Sequence, residues 1–89
     1  MNRRVYIVHG FEGNPHGNWF DWLCAQVKST GAQAISLAMP NPDKPSTTAW
    51  QFTLDQHIGK PDAHTFLVGH SLGCITLLPF LSRKKKKKI

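Results

Sequence analysis

The sequence predicts an α/β domain in which three parallel strands are covered by helices on both faces. Three observations carry that expectation. Short apolar runs at residues 5–8, 34–38 and 64–68 alternate with longer segments of helical periodicity. Gly, Pro, Asn and Ser, the residues that turn a chain, separate these segments. The order strand, helix, strand, helix, strand, helix then has its simplest solution in a parallel sheet with crossover helices.

The first strand, Val5-Tyr6-Ile7-Val8, is apolar enough to be buried on both faces and ends at His9-Gly10. Gly10, Gly13, Pro15 and Gly17 make the following stretch a loop. Asn18 suits the N-cap of a first helix, in which Trp19, Phe20, Leu23, Cys24 and Val27 recur at helical spacing and Gly31 is the stop. Ala34-Ile35-Ser36-Leu37-Ala38 is the second strand, and Met39-Pro40-Asn41-Pro42-Asp43-Lys44-Pro45 is a turn that no helix interior tolerates. Ser46 or Thr47 opens a second helix through about Ile58, with Trp50, Leu54 and Ile58 on one face. The third strand spans residues 64–68, and the last helix runs from Ser71 to about Leu81.

Composition narrows the class. The 89 residues allow one small domain, and 40% apolar with 18% charged residues describe a globular chain. No apolar run approaches the roughly 20 residues of a membrane helix. The basic start, Met1-Asn2-Arg3-Arg4, lacks the apolar stretch and cleavage site of a secretory signal. Cys24 and Cys74 read as reduced, mostly buried thiols, and a cytoplasmic setting is expected, with no membrane association. The net charge of +6 is unevenly placed. Arg3, Arg4, Lys28, Lys44 and Lys60 balance Glu12, Asp21, Asp43, Asp55 and Asp62, so the whole excess lies in residues 83–88.

The chemistry points to Gly69-His70-Ser71-Leu72-Gly73. This Gly-x-Ser-x-Gly stretch sits between an apolar strand and an amphipathic helix, the context of a nucleophile elbow. A serine hydroxyl needs a base to remove its proton and donors to receive the oxyanion that follows. The strained turn presents Ser71, Gly69 and Gly73 admit the close approach of strand and helix, and His70 packs beside the turn. The Leu72 N–H at the head of the helix is one oxyanion donor, helped by the helix dipole. The second is expected from the His9-Gly10-Phe11 loop, with Phe11 N–H the first choice.

Several segments together resemble the small cytosolic serine hydrolases of the α/β-hydrolase superfamily that include retinoblastoma-binding protein nine and its bacterial relatives. They are Val8-His9-Gly10-Phe11, Asn18-Trp19-Phe20-Asp21-Trp22-Leu23, Met39-Pro40-Asn41-Pro42 with Pro45 and Trp50, and Val68-Gly69-His70-Ser71-Leu72-Gly73-Cys74. The resemblance covers residues 4 to about 82 and corresponds to the N-terminal half of such an enzyme. It implies a cofactor-free enzyme that cleaves small carboxylic esters through an acyl-serine at Ser71. Leu72, Phe11 and Gly10 would form the oxyanion hole. The family's acid and base have no counterpart here, because no Asp, Glu or His follows Gly73. The chain is therefore expected to be truncated after the nucleophile helix and inactive alone.

Substitutes for the missing acid and base are poor. Asp55 and His57 lie two apart on a helix and point to different faces. His9 borders the oxyanion loop, although a loop histidine more often satisfies backbone groups. His16 and His64 read as surface or strand-end residues. No metal-binding spacing or phosphate loop is present. Trp19, Trp22 and Trp50 read as core or pocket wall rather than a platform for bases.

Two expectations concern the end of the chain. The third strand would be an exposed sheet edge, prone to self-association. The basic run at residues 83–89 has three readings: a phosphate-binding tail, a disordered end, or the product of a shifted reading frame. The first makes the chain an interaction or nucleic-acid-binding protein acting through its Lys run. The third accounts for both the neutral body and the missing acid and base.

Overall fold

A computed structural model describes residues 3–84. Strands β1 (Arg4–Val8), β2 (Gln33–Leu37) and β3 (Thr65–Gly69) form one parallel sheet in the order β2-β1-β3. Arg4 lies opposite Gln33 on one side and Thr65 on the other, and Val8 opposite Leu37 and Gly69. Helices α1 (Phe20–Ser29), α2 (Thr47–His57) and α3 (Leu72–Lys84) complete the alternation. Each strand lies within one residue of its sequence-predicted position.

Strand alternation sorts the core into two layers. Tyr6, Val8 and Leu37 point to one face, where they pack with Met39, with Trp50 and Leu54 of α2, and with Leu77 and Phe80 of α3. Ile7 points to the other face and is fully buried, as is Phe20 of α1, the helix that packs along β2. Helices therefore cover both faces, as the sequence predicts. Among the described residues, no helix is long and apolar enough to cross a membrane.

The second helix starts as expected: the Ser46 hydroxyl accepts the Ala49 N–H at 3.2 Å. The first does not. Asn18 has a left-handed backbone, φ 49°, and Trp19 takes the cap position without a side-chain bond. Asn18 closes a turn instead, a conformation its short amide side chain tolerates.

The last helix also differs from expectation, running to Lys84 rather than stopping near Leu81. Pro79 stands inside it, on an exposed stretch where water can replace the amide that proline lacks. Arg83 and Lys84 both pair with Asp55 of α2, and Arg83 also donates to Gln51 at 2.6 Å. These bonds extend the helix into the basic run. Residues 85–89, to which the phosphate-binding reading also applies, lie outside the described residues.

Candidate active site

The turn between β3 and α3 is built by close approach. A Cβ on Gly69 would stand 2.7 Å from the Cys74 nitrogen, and one on Gly73 would collide with the Val8 carbonyl oxygen. Strand, turn and helix could not meet this tightly with side chains at either position. The His70 N–H donates to the Val8 carbonyl at 3.1 Å, and the Gly73 and Cys74 N–H groups donate back to His70 and Ser71. Between them Ser71 is held at φ 58°, a left-handed conformation that costs a non-glycine residue about 1–2 kcal/mol. Ser71 is solvent-exposed at the C-terminal end of the sheet.

The loop after β1 lies against this turn. A Cβ on Gly10 would be 2.9 Å from the His70 carbonyl oxygen, 3.0 Å from the Ser71 Cβ and 3.3 Å from the Leu72 nitrogen. The bare Gly10 backbone thus borders Ser71 and the Leu72 N–H directly. Leu72 opens α3, so its N–H falls outside the helical ladder. The Phe11 N–H has no hydrogen-bond partner among the described residues. The structure thus brings Gly10, Gly69, His70, Ser71, Leu72 and Gly73 together, and Phe11 follows on the same loop with its side chain exposed.

His9 anchors that loop from beneath. Its ring is 1% exposed; Nε2 accepts the Met39 N–H at 3.0 Å and Nδ1 lies 2.9 Å from the Gly10 carbonyl oxygen. An accepting Nε2 puts the neutral ring's proton on Nδ1, which donates to Gly10. Both nitrogens are committed to backbone, so His9 is a buttress and not a substitute base. The Met39-Pro40-Asn41-Pro42 turn meets the loop from the other side. Pro42 accepts the Glu12 N–H at 2.8 Å, and the Trp50 indole donates to the Pro40 carbonyl at 2.7 Å. Sequence reasoning missed this function of the Met-Pro-Asn-Pro segment. The signal was its pairing with His9 and Trp50 within one group of shared motifs.

The other candidates sit apart. The His70 ring packs edge-on against Trp19 and Phe20, with centroids 5.8 and 6.0 Å away, beside the turn as expected. His16 pairs with Asp21 on the surface, and Asp55 is engaged by Arg83 and Lys84. Hydrogen bonds from Arg83, then Lys84, hold the Asp55 carboxyl below its ordinary pKa. Two readings are corrected. Cys74 is exposed rather than buried, because it lies on a side of α3 that no described element covers, whereas Cys24 is half-buried. Of the three tryptophans only Trp50 is core; Trp19 is a wall beside His70, and Trp22 is open to solvent. Among the described residues no group of His, Cys, Asp or Glu is arranged to hold a metal ion.

A parallel sheet that presents a strained, exposed serine between a strand's C-terminus and a helix defines a part of the α/β-hydrolase fold. The chain belongs to the serine hydrolase family, whose profile matches residues 5–89. It is 39% identical over 88 residues to YdeN of Bacillus subtilis (strain 168), a protein named as a hydrolase, covering 99% of this chain and 46% of that one. The crystal structure of the ydeN gene product superimposes with a TM-score of 0.89 at 38% identity, covering 94% of this chain and 45% of that chain. The chain thus spans about half the length of the relative it matches.

Proposed function

We propose that this chain carries the nucleophile and oxyanion-hole portion of an esterase site. The observation that carries the reading is Ser71 itself: exposed, held at φ 58° between β3 and α3, with the Gly10 backbone against it. In this reading Ser71 Oγ attacks the carbonyl carbon of a small carboxylic ester as its proton passes to a base. The Leu72 and Phe11 N–H groups receive the negative charge that develops on the carbonyl oxygen. Collapse of the tetrahedral intermediate releases the alcohol, which takes up that proton, and leaves an acyl-serine that water hydrolyses.

Three of the described histidines are already engaged elsewhere and do not supply that base. His9 is committed to backbone, His70 packs on aromatic rings, and His16 pairs at the surface. We place the acid and base on polypeptide corresponding to the part of the relatives that this chain does not span, so the chain alone is inactive. Cys24 and Cys74 form no disulfide among the described residues, which supports a cytoplasmic setting.

A fluorophosphonate probe tests the reading on the chain alone and on a chimera joining it to the part of YdeN it does not match. The expected result is labelling and hydrolysis of p-nitrophenyl acetate by the chimera, abolished by Ser71→Ala, and neither from the chain alone. A folded chimera that reacts equally well without Ser71 overturns it.

A further inference from the structure

Charge is divided unevenly between the two ends of the sheet. In a parallel sheet every loop that follows a strand lies at the end where Ser71 stands. Those loops and the first turn of α1 carry Glu12, Asp21 and Asp43, with Lys44 as their only Lys or Arg. Arg4, Lys28 and Lys60 belong to the opposite end, at the start of β1, in the last turn of α1 and beyond α2. The serine end of the sheet is therefore its acidic end.

Glu12 stands out among these groups. The Gly13 N–H donates to the Gly10 carbonyl at 3.0 Å and closes a four-residue turn. Glu12 is its third residue, at φ 58°, while Phe11 keeps a negative φ. That is the pattern of a type II turn, whose third position favours glycine. The Glu12 N–H is bonded in its turn to the Pro42 carbonyl at 2.8 Å, so the backbone that bears the carboxylate is fixed from two directions. Pro42 belongs to the loop after β2, which holds this turn on the β2 side of the sheet, away from β3. With successive Cα atoms about 3.8 Å apart, the Glu12 Cα lies within about 7.6 Å of the Gly10 Cα. A Cβ on Gly10 would be 3.0 Å from the Ser71 Cβ. Among the described residues the exposed Glu12 carboxylate makes no ion pair or hydrogen bond, whereas Asp21 is engaged by His16. Asp43 and Lys44 are neighbours and offset one another.

We infer that Glu12 is a specificity-determining residue that directs the site toward esters bearing a positive charge, such as an ammonium group near the scissile bond, resting on the esterase reading of Ser71. The carboxylate and Ser71 are separated by about one Debye length, ~10 Å at 0.1 M salt, so each feels the other's surroundings. A cationic substrate is drawn to the oxyanion loop, and one that carries a carboxylate is repelled. An uncompensated carboxylate near the oxyanion donors also disfavours the negative charge that develops on a neutral ester, and a cation on the substrate offsets this. The exposed Phe11 ring, one residue earlier in the same turn, adds an aromatic group of the kind that holds ammonium ions. Glycine would satisfy this turn with less strain, so what glutamate adds at the position is its charge.

The potential at position 71 is measurable without catalysis. In a Cys24→Ser/Cys74→Ser background of the full chain, Ser71→Cys places a thiol there. Methanethiosulfonate reagents ending in a trimethylammonium or a sulfonate then report the charge around it. The ratio of the cationic to the anionic reaction rate, each taken relative to 2-mercaptoethanol, should fall about 5-fold with Glu12→Gln at low salt. A change in the thiol's own reactivity cancels in that ratio. At about 1 M salt, where the Debye length is ~3 Å, the difference should vanish. In the chimera with the YdeN portion, Glu12→Gln should lower the ratio of kcat/KM for acetylthiocholine to that for its uncharged isostere, 3,3-dimethylbutyl thioacetate, by a similar factor. Thiol rates whose ratio Glu12→Gln does not move overturn the inference, as does Ser71-dependent hydrolysis by the chimera with no such shift; both leave the esterase reading standing. A folded chimera without Ser71-dependent hydrolysis overturns the esterase reading, and the substrate preference with it.

Discussion

Ser71 occupies a backbone conformation that glycine adopts freely and alanine does not, so its two simplest replacements should part company. Ser71→Gly should be more stable than Ser71→Ala by about 1 kcal/mol in urea unfolding. Equal midpoints would mean the turn is unstrained. Gly73 presents the opposite case: Gly73→Ala drives a methyl into the Val8 carbonyl and should cost about 1–3 kcal/mol, because the colliding group is backbone. His9 stabilises through its bonds. His9→Ala leaves the buried Met39 N–H without its acceptor and should cost about 2–4 kcal/mol, read by the same unfolding curves. A loss under half a kcal/mol (about the size of an ordinary surface change) would remove the buttress role.

At the level of elements, α2 and α3 are joined at their far ends by the group of Asp55, Arg83, Lys84 and Gln51. Asp62, ahead of β3, is similarly engaged by the His64 N–H, Arg4 and Thr65. The pKa of both carboxyls is held below its ordinary value, for Asp55 chiefly by Arg83 and for Asp62 chiefly by the His64 amide. A depressed folded-state pKa stabilises above the ordinary aspartate range, near pH 4, and the effect fades as pH falls through the depressed value. The urea midpoint should therefore drop on acidification below about pH 4, and Asp55→Asn with Asp62→Asn should flatten that limb. An acid limb that the double variant shares with the parent would assign it to other groups.

For the molecule as a whole, β1 is the shared support: it pairs with β2 on one side and β3 on the other, and its Tyr6 and Val8 lie in the core with residues of α2 and α3. Residues 3–84 should therefore unfold as one unit, with coincident urea midpoints by tryptophan fluorescence and far-UV dichroism. Separate midpoints would mean that the elements on the two sides of β1 unfold independently.

Much of this architecture is legible in the sequence because it is local. Apolar runs between glycines and prolines mark the strands, and the serine turn is set by Gly69 and Gly73, two residues to either side. What is not legible depends on distant groups. His9 finds its partner in a backbone amide 30 positions along the chain. Arg83 extends α3 because Asp55, 28 positions earlier, receives it. Asn18 turns left-handed in a loop whose course is set by contacts to the Met39-Pro40-Asn41-Pro42 turn and the sheet.

The strand order has a consequence for how the chain comes into being. β1 is the first strand of this chain to be synthesised and the central one in the sheet, paired on one side with β2 and on the other with β3. Its second side must wait for residues 65–69, which follow after a few seconds of elongation at cellular rates of about 5–20 residues per second. During that interval the nascent polypeptide displays an unpaired apolar strand, and the serine turn cannot form, because the carbonyl that receives the His70 amide belongs to β1. The serine turn thus takes shape only once β3 has joined β1, and a pause in translation before residue 65 would prolong the stage at which the chain is most exposed to chaperones and to misassembly.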